Sequence, residues 1–98
     1  MFTSSEENYL KAIYHLSLAS HKGVSTNAIA KKLKTKASSV TDMVKKLADK
    51  KVLVYKKYHG VSLTNKGTKQ AANIIRKHRL WEVFLVEKLN FSWDEVHD

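Results

Sequence analysis

A mainly α-helical fold with one small β-hairpin follows from three observations. The 98 residues contain no Pro and three Gly, so little interrupts a helix. Apolar residues recur at helical spacing in four separate stretches. Between the third and the fourth, Val52 to Leu63 reads instead as two short strands about a turn. In chain order this gives a helix, two short helices close together, a hairpin and a long helix, the order of a winged helix-turn-helix.

Ser4-Ser5-Glu6-Glu7 marks the first helix start, with a hydroxyl to cap and acids at the positive end of the dipole. Tyr9, Leu10, Ile13, Tyr14 and Leu16 make its apolar face, and His21-Lys22-Gly23 is the expected stop. A short capped helix follows from Ser25 to Leu33 and is broken by Lys34-Thr35-Lys36. The next runs from Ala37 or Ser38 to Asp49, with Val40, Met43, Val44 and Leu47 at i, i+3, i+4 and i+7. Gly is frequent in the turn between such helices, so Lys34 or a neighbour must adopt its conformation at a modest cost. The hairpin is expected as Val52–Lys57, a turn at Tyr58-His59-Gly60, and Val61–Leu63. Thr64 caps a helix extending to about Leu89, whose residues Ala71, Ile74, Ile75, Leu80, Trp81, Phe84 and Leu85 predict a well-buried element. Ser92-Trp93-Asp94-Glu95 is a capping box opening another helix, so the chain reads as the front of a longer protein. Residues 1–63 are expected to form the winged helix-turn-helix domain, and residues 64–98 the long helix and the start of a further region.

Charge is confined rather than spread. The segment 22–57 holds eleven Lys against Asp42 and Asp49, which accounts for the whole net charge of +9, while the rest is neutral. A compact basic surface on a small helical scaffold is the footprint of a phosphate-backbone binder. With no Cys, neither a disulfide nor a thiolate metal site is available. No apolar run approaches the ~20 residues of a membrane span, and the N-terminus lacks the blocks of a secretion signal. A cytoplasmic location with no membrane partner is expected. No nucleophile–base pair or Gly-rich phosphate loop points to an enzyme.

In a helix-turn-helix the second helix enters the major groove. Its outward residues are Ser38, Ser39, Thr41, Asp42, Lys45 and Lys46. Short hydroxyls serve bases or phosphates, the Thr41 methyl suits thymine, and Asp42 accepts only from a donor such as the cytosine amino group. Lys45, Lys46, Lys34 and Lys36 suit phosphate clamping, with Lys56 and Lys57 of the hairpin reaching the flanking backbone or minor groove. Without Arg, Asn or Gln on this face, charge dominates affinity. Six phosphate contacts give a log–log salt slope of roughly −5.

Four stretches together resemble the diphtheria-toxin-repressor family: Ser5-Glu6-Glu7-Asn8-Tyr9-Leu10-Lys11-Ala12-Ile13-Tyr14, the helix-turn-helix, Tyr55 to Thr64, and Arg76-Lys77-His78-Arg79-Leu80-Trp81-Glu82-Val83-Phe84-Leu85. The resemblance implies a dimeric repressor that binds a double-stranded operator when loaded with Fe(II) or Mn(II). It also implies that His78, Glu82 and His97 are metal ligands. Spacing alone reads His78 and Glu82 as a surface pair. Where the family places Met or Asp in its first helix this sequence has Asn8, a weaker neutral donor. The remaining family ligands and the main dimer helices would fall beyond Asp98, so the metal site is expected to be incomplete on these residues. His15, His21 and His59 match no ligand position and read as surface residues. Two other readings stand beside this one: a winged-helix regulator answering to small organic ligands, of the multiple-antibiotic-resistance type, and a winged-helix protein-interaction module.

Overall fold

The computed structural model describes residues 2–20, 23–56 and 59–88, with side chains through Glu82. Its elements run α1 (Ser4–Leu18), α2 (Thr26–Leu33), α3 (Ala37–Asp49), β1 (Leu53–Lys56), β2 (Gly60–Leu63) and α4 (Asn65–Lys88). This is the winged helix-turn-helix order that the sequence predicts. His21, Lys22, Lys57, Tyr58 and the capping box at Ser92 to Glu95 lie outside the described residues.

The first cap differs from expectation. Ser4 and Ser5 lie inside α1, and Thr3 is the cap: its Oγ1 accepts from the Glu6 amide at 3.1 Å while the Thr3 amide donates to Glu6 Oε1 at 2.8 Å. That reciprocal pair is a capping box, satisfying two amides that a lone hydroxyl would satisfy only in part. The helix also ends earlier, at Leu18, where the Ala19 amide bonds back to the Leu16 carbonyl and serine hydroxyls engage nearby carbonyls. Ser17 Oγ donates to the Tyr14 carbonyl, and Ser20 Oγ donates to the Gly23 carbonyl.

The helix-turn-helix corner follows the sequence closely. Ser25 caps α2, and Lys34 ends it at φ 54°, ψ 47°, the left-handed conformation expected there. Lys51, just past α3, is a second non-Gly residue at positive φ, 62°. The hairpin is antiparallel, with Leu53 opposite Leu63 and Lys56 opposite Gly60, and β2 begins one residue earlier than expected. Val24 bridges Val61 through paired backbone bonds of 2.7 and 2.8 Å, tying the segment before α2 to the wing. Gly60 permits that approach, since a Cβ there would sit 2.6 Å from the Val24 carbonyl oxygen.

Leu10, Ile13, Ile29, Val40, Val44, Leu47, Val52, Leu53 and Val61 form the buried core, closed on one side by Ala71 and Ile74 of α4. Thr64 caps α4 by accepting from the Gly67 amide at 3.0 Å. A Cβ on Gly67 would lie 1.7 Å from the Val52 carbonyl oxygen, so the first turn of α4 sits directly on the chain leaving α3. Farther along, the helix departs from its expected burial. Leu80 and Trp81 are 61% and 58% exposed. Ala71 and Leu80 are nine residues apart, about two and a half turns, and so face opposite sides of the helix. The apolar residues of α4 therefore make two faces, and the core takes only one.

Candidate nucleic-acid interface

On α3 the side-chain pattern splits cleanly. Val40, Val44 and Leu47 are buried, with Met43 partly so. Ser38, Ser39, Asp42, Lys45 and Lys46 are exposed and Thr41 is half-buried. With 3.6 residues per turn, those six occupy one continuous arc opposite the core stripe. Thr41 is narrower in its options than its type suggests, because its hydroxyl donates to the Ala37 carbonyl at 3.1 Å. It presents a methyl and acceptor lone pairs, with its one donor engaged within the helix.

The start of α3 is basic and open. Lys36 is its N-cap and makes no side-chain capping bond, so the first amides of the helix lack that partner. Lys34 and Lys36 are both exposed at this end, and Lys56 is exposed on the wing beside the half-exposed Val54 and Tyr55. Uncapped amides and exposed lysines thus occur together at a helix N-terminus, an end that favours a phosphate oxygen.

One lysine of the basic segment is diverted from that surface, and sequence reasoning missed its partner. Lys50, the C-cap of α3, donates to Glu6 Oε2 at 2.7 Å and lies 5.1 Å from the centre of the Phe2 ring. Glu6 is fully buried. The Lys50 hydrogen bond, with that from the Thr3 amide, holds its carboxyl at about 2 against an ordinary 4.5, although burial pulls the other way. The signal available in sequence was the Thr3-x-x-Glu6 spacing of a capping box; the lysine 44 residues away was not legible.

The second group of candidates lies between α1 and α4. His78 is half-buried, with Nε2 3.5 Å from Glu7 Oε1, and Lys77 Nζ lies 3.2 Å from Glu7 Oε2. Thus the α1 side chain placed beside His78 is that of Glu7, while the neighbouring Asn8 is exposed. Glu82 lies one turn beyond His78 and lines the same cleft, together with Lys11, His15, Ile75 and Arg79. Imidazole nitrogen and carboxylate oxygen are donor types that divalent Fe or Mn accept, and the pair brought together here is His78 with Glu7, while Glu82 lines the cleft on the other side of His78. Among the described residues no three His, Cys, Asp or Glu side chains converge to hold an ion. His97 lies outside them. His15 and His59 are exposed, as expected.

Comparisons with known proteins show the family and the fold. Residues 1–61 match the N-terminal DNA-binding domain of the iron-dependent repressors, and residues 64–98 match their metal-binding and dimerisation domain. The helix-turn-helix-type transcriptional regulator MntR of Oceanobacillus iheyensis is 39% identical over 98 residues, covering all of this chain and 65% of its own. An uncharacterised helix-turn-helix regulator of Methanocaldococcus jannaschii is 39% identical over 90 residues, covering 92% of this chain and 72% of its own. Among solved structures, the manganese regulator SloR superposes with a TM-score of 0.82 at 43% identity, covering 98% of this chain and 44% of that one. The chain thus spans under half of that solved relative. A match over both segments at this level of identity places the chain in the iron-dependent, or diphtheria-toxin-repressor, family of transcriptional regulators.

Proposed function

We propose that this chain reads an operator half-site with α3 and answers to divalent Fe or Mn through side chains between α1 and α4. The observation that carries the reading is the unbroken polar and basic arc of α3, set opposite its buried stripe, on a scaffold whose relatives are transcriptional regulators. Ser38, Ser39, Thr41 and Asp42 face base edges, and Lys45, Lys46, Lys34, Lys36, Lys56 and Lys57 hold phosphates. The role is binding, not enzymatic, in the cytoplasm where the operator is. Among the described residues no helix is long and apolar enough to cross a membrane.

His78 and Glu82 supply metal donors from α4, with Asn8 or Glu7 from α1 and His97 farther along. A bound dication would supply a point of common attraction for these donors. What the protein's own residues contribute is alignment: His78 and Glu7 already face each other at 3.5 Å across the two helices. Lys77 holds the other Glu7 oxygen and must be displaced if both oxygens are to turn toward an ion. A homodimer presenting two half-sites is supported by the exposed Leu80 and Trp81, which lie within the segment matching the dimerisation domain.

The test is binding to duplexes selected from a random pool, followed by fluorescence anisotropy with Fe(II), Mn(II), Zn(II) or chelator. The reading predicts preferred duplexes, with affinity rising on Fe(II) or Mn(II) where the ligand set that His78 and Glu82 begin is complete. Preferred duplexes without any metal response would favour the regulator of the organic-ligand type. Absence of duplex binding under every condition would favour a protein-interaction module.

A further inference from the structure

The corner where α3 ends is clamped from two helices, and the clamp runs through a buried carboxylate. Both oxygens of Glu6 are engaged: Oε1 accepts from the Thr3 amide and Oε2 from Lys50 Nζ. The Lys50 carbonyl accepts from Lys66 Nζ at 3.4 Å, and the next carbonyl, of Lys51, accepts from Thr64 Oγ1 at 2.8 Å. Lys50 and Lys51 are therefore held by α1 on one side and by the start of α4 on the other. The adjacent Glu7 is gripped by Lys77 and lies beside His78, so the first turn of α1 touches both the end of α3 and the middle of α4.

We propose that Glu6 is a positioning residue for DNA reading: through Lys50 it fixes the tilt of α3, and so the placement of Ser38 to Lys46 against base edges. This rests on the reading of α3 as the recognition helix. A 13-residue helix is about 20 Å long, so a shift at Lys50 is carried to the opposite end as a change of angle. The pair suits such a role because one partner is buried: Glu6 has no access to water, whereas the Lys50 side chain stays 37% exposed. Removing Lys50 leaves the Glu6 carboxylate without its charged partner, which favours the one geometry in which the two meet over slightly displaced ones.

Electrostatics and positioning make opposite predictions here. Glu6 is an acid, so if it acted only through charge its removal would strengthen binding to every duplex. The proposal predicts instead that Glu6→Gln lowers the preference for a selected duplex over an unrelated one by about tenfold, the effect of roughly one mismatched base pair. The salt slope on the unrelated duplex should stay unchanged. Lys50→Gln should reproduce the loss of preference, the double variant should lose no more than either, and Lys50→Arg should retain most of it. Tighter binding to both duplexes, or an unchanged preference, overturns the proposal. A parent chain with no preference at all would count against the recognition-helix reading itself. A DNA-free readout covers that case: amide exchange from Val44 to Lys50 should quicken in Glu6→Gln and in Lys50→Gln, and unaltered exchange overturns the proposal independently.

Discussion

At the residue scale, Lys34 and Glu6 show what a sequence can and cannot disclose. The strain at Lys34 was legible, since a two-helix corner without Gly forces some residue into the left-handed region, and Lys34 takes it. Lys34→Gly should therefore raise stability by about 0.5–1 kcal/mol in urea unfolding. The same change removes a candidate phosphate contact, so affinity for DNA should fall as stability rises. Glu6 was not legible. Two adjacent glutamates at a helix start read as dipole acids, and only the fold brings Lys50 to one of them. Its carboxyl titrates at about 2 rather than 4.5, so the pair stabilises the fold fully above about 4.5 and loses that contribution as pH falls toward 2. The gap in urea midpoint between the parent and Glu6→Gln should accordingly narrow from pH 6 down to pH 2.5. A gap independent of pH would assign the stabilisation to packing instead.

Among the elements, α1, α2 and α3 are legible within a few residues because each alternates between core and solvent at the helical period. The wing is legible instead from its β-branched run and the Gly60 turn, since β1 buries Leu53 and exposes the three residues after it. The long helix begins where the sequence predicts and continues to the last described residue, Lys88, but its burial differs from expectation. Its apolar residues do not share one environment: Ile74 enters the core and Leu80 faces away from it. Periodicity identifies a helix more readily than it reveals what covers each face. The junction of α4 with the wing is unforgiving. Gly67→Ala would drive a methyl into the Val52 carbonyl, and should destabilise by about 1–3 kcal/mol or more through displacement of the helix start. Thr64→Val should cost about 1–2 kcal/mol, since Thr64 Oγ1 both caps the Gly67 amide and donates to the Lys51 carbonyl. Thermal or urea unfolding of each variant measures these effects.

For the whole molecule, the proposed function rests on a division of labour between two surfaces. The exposed lysines at the start of α3, on its outward arc and on the wing are assigned to one of them, while Lys50 pairs with the buried Glu6. The cleft between α1 and α4 serves the other, and there sequence and structure meet only in part. His78 and Glu82, which spacing alone reads as a surface pair, line one cleft, while Glu7 rather than Asn8 lies beside the imidazole. Which of two neighbouring residues turns inward depends on the rotation of α1 about its axis, a quantity no local motif specifies. The first turn of α1 thereby links the cleft to the end of α3. The most direct measurement of the central claim compares the parent chain with Lys45→Glu/Lys46→Glu on a selected duplex across a range of salt concentrations. A DNA-facing α3 predicts affinity lower by about a hundredfold or more and a log–log slope shallower by about 2. Equal affinity and equal slope for the two proteins would contradict it.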